Sequence, residues 1–250
     1  MSLALVFVCF FSAEAQKRKP VTNPLRSAPP RVRDVGSKAV VIDETLSVLR
    51  MRPSLFAEPI QRMRRGRHVQ IVAAADADGV RFYKVAAPPA PFGWVQSDAV
   101  FGKFRTGDEE RLARLVQAAD GFEQVELASA FLEMYPSSRF RPPILLLYGD
   151  LLEDAAAKLS RDAGTRLNRR EMAATGAPLH SYYLNFNMLD RYRRLGVTFL
   201  FNSSTRTFHY NGASWREIVH KFPAATETGE AQKRLDSLRD KLERQTTASS

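Results

Sequence analysis

The sequence predicts a multidomain protein: a small all-β barrel, then a mainly α domain of helical hairpins that carries a short β hairpin. Three observations lead there. Residues 38–100 hold short β-branched runs separated by turn residues, as small curved sheets do. Residues 101–250 hold apolar positions at helical spacing. The helical half also echoes itself, with Tyr135-Pro136 and Phe222-Pro223 closing two similar runs.

Ahead of both parts, residues 3–11 (LALVFVCFF) form an apolar run of signal-peptide length, and Ala13-Glu14-Ala15 fits the small-x-small cleavage rule. The run falls short of the ~20 apolar residues that cross a bilayer. Residues 1–15 are therefore expected to be an export signal, and the protein periplasmic or extracellular rather than transmembrane. No Lys or Arg precedes the run, so the basic start of such a signal is expected upstream of Met1.

Residues 16–37 contain four prolines and few apolar side chains, the composition of a disordered linker. Lys17, Arg18, Lys19, Arg26, Arg31 and Arg33 stand there against Asp34 alone, a net +5 of the chain's +10. Such a tether suits electrostatic contact with an anionic surface. The rest is nearly balanced, nine bases against six acids in 38–100 and twenty-two against nineteen in 101–250. No nucleic-acid partner is expected of a charge pattern like this. The single cysteine, Cys9, lies in the expected signal, so a mature chain would hold no disulfide, thiolate nucleophile or cysteine metal site.

In the barrel stretch, Lys38–Asp43 is the first strand. Leu46, Val48 and Met51 form a second extended run that ends at Pro53-Ser54, and a long loop then reaches Ile60. Gly66 marks a turn before His68–Ala73, whose Val69 and Ile71 share a face. Asp76-Ala77-Asp78-Gly79 is turn chemistry; it lacks the third acid and distal Glu of a calcium loop. Strands Arg81–Ala86 and Gly93–Gln96 follow, and alternation sends one of Phe82 and Tyr83 inward and the other outward. The basic cluster RMRRGR at 62–67 reads as a solvated turn, with an anion patch as the other reading.

This stretch resembles the bacterial SH3-like domain family. The resemblance rests on Leu46–Pro53 as its opening motif, Arg64-Arg65-Gly66 as its basic turn, Phe82–Val85 as its "WYKV" strand and Gly93-Trp94-Val95 with Asp98 as its close. It departs from the family at Pro53, where glycine is usual, and in the Pro- and Ala-rich insert Ala86–Phe92. The resemblance implies a non-catalytic module for cell-wall peptides or partner proteins. It covers about a quarter of the chain.

In the helical half, Asp108 is placed to cap a helix with Leu112, Leu115, Val116 and Ala119 on one side. A second helix shows Phe122, Val125, Ala128, Leu132 and Tyr135. A third, opened by Pro142-Pro143, shows Ile144, Leu147, Tyr148, Leu151, Ala155 and Leu159. The aromatic-Pro joints resemble those between tetratricopeptide repeats, which implies stacked helical hairpins. The two copies are separated by an insertion at about 160–212. Within it, 161–178 is polar and expected to be mobile, Ser181–Leu195 reads as one helix, and Val197–Phe201 with Thr207–Tyr210 reads as a hairpin. The last helix carries Ala231, Leu235, Leu238 and Leu242.

Chemistry-bearing motifs are scarce. His180, His209 and His220 lie without metal-ligand spacing, and neither a Gly-flanked serine nor a phosphate-binding glycine loop occurs. No catalytic, cofactor or metal residue is assigned. Aromatic side chains are the partner-binding candidates: Phe56, Tyr83, Phe92 and Trp94 in the barrel stretch, and Tyr182, Tyr192, Phe208, Tyr210 and Trp215 in and beside the insertion. The expectation is an exported adaptor of the bacterial envelope that binds a protein or a peptidoglycan-derived peptide. The alternative is a partner of cell-wall hydrolases that uses the barrel for targeting.

Overall fold

The apolar run Ala39–Ile42 decides the architecture. Strand β1 (Lys38–Val41) sends Ala39 and Val41 into one core, with Leu49, Ile71, Tyr83, Val85 and Val95. Val40, with Ile42 just beyond the strand, enters another with Phe101, Leu112, Val116, Ala128 and Phe131. A strand covered on both faces is apolar throughout rather than alternating, and it ties the sheet to the helices.

The computed structural model describes residues 34–243, except 89 and 168, and these fall within one compact unit. The expected signal and the linker as far as Arg33 lie outside the described residues. Residues 34–37 are hydrogen-bonded to the sheet, Gly36 N–H donating to the Ile71 carbonyl and Ile71 N–H to that of Ser37.

Among the described residues, β1 joins β2 (Val48–Arg50), β3 (Pro59–Arg62), β4 (His68–Ala77), β5 (Val80–Ala87), β6 (Ala90–Gln96) and β7 (Val100–Phe101) in one antiparallel sheet. The order is β3-β2-β6-β5-β4-β1-β7, which leaves β3 and β7 as edges. Register shifts at Leu49/Arg50, Ile71/Ala73 and Val85/Ala87 bend the strands. The β4–β5 turn is the two-residue Asp78-Gly79, with φ of 53° and 72°. Left-handed backbone at both central positions matches the twist of a hairpin.

Helices α1 (Asp108–Ala118), α2 (Gly121–Met134) and α3 (Arg141–Arg166) follow, then α4 (Arg169–Thr175), α5 (Leu179–Leu184) and α6 (Asp190–Arg193). The hairpin β8 (Phe199–Asn202) and β9 (Thr207–Tyr210) precedes α7 (Ala213–Lys221) and α8 (Thr228–Glu243). Helix α3 packs against α2, α7 and β9. Helix α2 lies between two cores: Ala128 and Phe131 turn toward the sheet, and Val125 with Phe122 and Leu132 toward the β8–β9 side.

This corrects the expected fold class. The strands form an open sheet, and Val40, Ile42 and Phe101 bury themselves against α1 and α2. The fold is a mixed α/β one, not an all-β barrel joined to a separate helical domain. The segment 181–195 is also not one helix. It breaks at Asn185, with Phe186 extended so that its ring, like Leu189, reaches the core. The end of α3, which runs on to Arg166, and α4 together occupy most of the stretch 161–178 expected to be mobile.

Candidate functional site

Burial divides the nine candidate aromatics. Tyr83, Tyr192, Phe208, Tyr210 and Trp215 are buried and cannot meet a partner. Tyr83 sets its ring edge-on to Phe104 and donates its hydroxyl to Asp34 at 2.5 Å. Both Phe82 and Tyr83 are buried, so neither points outward. Tyr192 is held edge-on between Phe122 and Phe199, and Phe208 beside Phe201 and Tyr183. Tyr210 meets Trp215 at 5.4 Å and accepts the Ser214 N–H. Tyr182 is half-buried and bonds to Thr175. The aromatic density of the insertion therefore serves packing, through edge-to-face contacts that add to plain area burial.

Of the others, Phe92 and Trp94 lie on β6, and Phe56 lies on the loop after β2, which Arg50 reaches by donating to the Ala57 carbonyl at 2.7 Å. Arg50, Trp94 and Lys84 are opposed in a row across β2, β6 and β5, and the Lys84 ammonium lies 5.7 Å from the Phe92 ring. Phe92 is 52% exposed and Trp94 half-buried. The loop 51–58 adds Met51, 62% exposed, and Phe56, 88% exposed. Its position is set by Asp78, whose carboxylate accepts from the Ser54 hydroxyl at 2.7 Å and the Leu55 N–H at 2.8 Å. These bonds hold the Asp78 carboxyl below its ordinary value, against a small opposing effect of burial. An exposed aromatic on a tethered loop beside a Trp-Lys-Arg row is a surface with little ordering left to do on binding.

The basic cluster at 62–67 is mostly structural. Arg62 donates to the carbonyls of Glu44 and Thr45, and Arg67 to those of Ala87 and Pro88. Arg65 reaches the Ile42 carbonyl, Glu126 and Glu123, pinning the sheet to α2. Burial raises the Glu126 carboxyl, and Arg65 works against that rise.

One constellation was missed in the sequence. Thr207 Oγ1 lies 3.0 Å from His209 Nε2, and His209 Nδ1 lies 3.0 Å from Glu153 Oε1. The hydroxyl–imidazole–carboxylate order is that of acyl-transfer sites. Here the carboxylate is also taken by Lys241 Nζ at 2.7 Å and the Tyr210 N–H at 2.8 Å. Nearby, Ser160 Oγ accepts the Phe208 N–H, and Asn202 donates to the Lys241 carbonyl. The group thus clamps β9 between α3 and α8. His209 and Thr207 are two apart on one strand, a spacing visible in the sequence. Glu153 lies 56 residues from His209, and nothing local points to it.

Burial opposes charge on Glu153, yet the bonds from His209, Lys241 and Tyr210 outweigh it and hold the carboxyl at about 2. A depressed carboxyl contributes stability that is fully present above its unfolded value near 4.5. That contribution fades as pH falls toward 2. Allowing for solvent screening, it is on the order of 1–2 kcal/mol. Glu153→Gln is expected to lower the denaturant midpoint at pH 7 and to lose less stability than the wild type between pH 4.5 and 2.5. Parallel pH curves for the two proteins would refute the clamp.

Among the described residues no group of three His, Cys, Asp or Glu is placed to hold a metal, and no helix is long and apolar enough to cross a membrane. No family model, curated protein or solved structure matches the chain at a significant level.

Proposed function

We propose that this protein is a non-catalytic adaptor, exported to the bacterial envelope, that holds an extended acidic segment of a partner protein on the aromatic face of its sheet. The supporting observation is the Arg50–Trp94–Lys84 row with Phe92 exposed under Lys84, and Met51 and Phe56 exposed on the loop that follows Arg50. Arg52, exposed on the same loop, has no partner among the described residues, and Lys84 covers Phe92 without a carboxylate. Aromatic side chains beside Arg52 and Lys84, with Glu58 as the one acid on the loop, suit an acidic chain with apolar side chains between its charges.

Recognition through side chains is favoured over strand addition. Edge strand β3 begins with Pro59, and Arg62 is spent on the carbonyls of Glu44 and Thr45, features that blunt an edge. Export rests on the apolar run at 3–11 with Ala13-Glu14-Ala15 behind it. The Thr207–His209–Glu153 chain is read as a clamp, since its carboxylate is saturated by Lys241 and Tyr210 as well as His209.

Capture of partners from the envelope extract of the native host, with wild type and with Phe56→Ser/Phe92→Ser, tests this. Both side chains are exposed, so the melting temperature is expected to hold within a degree or two. The dominant captured protein is expected to fall at least tenfold, as loss of a hot spot implies. Equal capture by both proteins would rule the face out, and binding to isolated cell wall instead would shift the ligand to peptidoglycan.

A further inference from the structure

A second cleft shares no residue with the aromatic face. It has a volume of about 440 Å³ and lies where α1 begins and α2 ends, lined by Lys103, Thr106, Gly107, Glu109, Tyr135 and Ser137 among others. That volume is within the range of small-molecule sites. Tyr135 is only 7% exposed, yet its hydroxyl has no hydrogen-bond partner. Buried polar groups are nearly always satisfied, and leaving one unsatisfied is costly. A buried, unpaired hydroxyl on a residue that lines a cleft is a donor available to a ligand.

The surroundings define the chemistry. Gly107, left-handed at φ 88°, leads into α1, and no side chain caps the helix. A helix start presents N–H groups and a partial positive charge. Lys103 is exposed at the rim with no partner among the described residues. Three acids sit in the first turn of α1, but two are spoken for: Asp108 by Gly102 N–H, Arg105 and Arg111, and Glu110 by Arg139. Glu109 Oε1 accepts from the Ser138 hydroxyl, which leaves Oε2 free to accept from a ligand in the cleft that Glu109 lines. Burial, then the charges of Asp108 and Glu109, push the Tyr135 hydroxyl up to about 12, so it stays a donor across the working pH range.

We infer that this cleft binds the free C-terminal end of a peptide, with Lys103 and the Tyr135 hydroxyl taking the carboxylate and Glu109 Oε2 accepting the adjacent amide N–H. Arg105 also lines the cleft but is engaged by Asp108 and the Ser97 and Val100 carbonyls, so Lys103 and Glu109 set the polarity and favour a ligand that carries both an acceptor and a donor over a simple anion. Ser137 and Thr106 supply hydroxyls for the next peptide unit.

The test is calorimetric titration of the full chain with N-acetyl-alanyl-alanine, its C-terminal amide and acetate. The free acid is expected to bind, the amide at least tenfold more weakly, and acetate not measurably. Tyr135→Phe removes an unsatisfied buried hydroxyl, so its melting temperature should stay level or rise while affinity for the free acid falls about tenfold. Lys103→Ala should weaken the free acid and leave the amide unchanged. Equal binding of acid and amide, or none up to millimolar concentration, overturns the inference. Binding of acetate as tight as that of the dipeptide overturns it in favour of a bare anion site. A lower melting temperature for Tyr135→Phe with unchanged affinity would show the hydroxyl to be structural, and overturns it too.

Discussion

Asp108→Ala is expected to cost about 2–4 kcal/mol, because it removes the buried carboxylate that two partly exposed guanidinium groups share. The carboxylate is fully buried and accepts from Gly102 N–H at 3.0 Å, Arg105 Nε at 2.7 Å and Arg111 Nη1 at 3.2 Å. Both guanidinium groups also lie over the Phe101 ring, at 5.6 and 4.8 Å. Arg105 further donates to the carbonyls of Ser97 and Val100. One side chain thus fastens the end of β7, the loop after it and the first turn of α1. Without it, Arg105 and Arg111 keep only the more exposed Asp98 as counter-charge, at 4.0 and 3.3 Å. For a fold of this size the melting temperature should fall by on the order of 10 °C. Glu110→Ala, which loses only a surface pair with Arg139, is the control and should cost less than about 1 kcal/mol. Equal losses from the two substitutions would show the junction to be incidental.

That junction also explains where the sequence stopped being informative. Asp108 is recognisable as a helix-start residue, and α1 does begin there, but Gly107 holds the cap position and the carboxylate accepts from Gly102 and Arg105 before the helix and from the Arg111 side chain rather than from the helix's first N–H groups. Local pattern identifies elements whose determinants are local. The Asp78-Gly79 turn, the runs that became β4 and β5, the stop at Tyr135-Pro136 and the α8 stripe of Ala231, Leu235, Leu238 and Leu242 were all legible. What escaped depends on partners distant in the chain. By local pattern Ala39-Val40-Val41-Ile42 is one more short strand, although four consecutive apolar residues are what a strand covered on both faces requires. Taking that run at face value would have argued against an independent barrel.

The same limit applies to the site. Aromatic residues announce themselves by type, but type does not say which way they face. Phe208 and Phe92 looked equivalent, yet one is in the core and the other is half exposed. The density of rings between 182 and 215 arose because α4–α6 and the β8–β9 hairpin must cover α3 with few long apolar helices. Large flat side chains fill such irregular space. Tyr135 shows the converse: as the last aromatic of a helical stripe it read as packing, and the orphaned hydroxyl that gives it a second meaning is visible only with the cleft in place.

Packing around α3 also makes a prediction whose sign separates local from tertiary control. Gly149 lies mid-helix, where alanine ordinarily gains about 1 kcal/mol in propensity. A Cβ there would stand 2.3 Å from Trp215 Nε1 and 2.6 Å from Ser214 Oγ. The indole cannot retreat, being 1% exposed with Tyr210 edge-on against it. Gly149→Ala is therefore expected to destabilise by about 2–3 kcal/mol despite the better helix former, because overpacking a rigid core forces α3 and α7 apart. Trp215→Phe shortens the ring at the point of collision and removes an indole N–H that has no acceptor. The double substitution should recover at least half of the loss, a coupling that chemical denaturation of the four proteins measures directly. A stabilised Gly149→Ala, or additivity in the cycle, would mean that α3 and α7 are not in close contact at this point and that helix propensity alone governs the site.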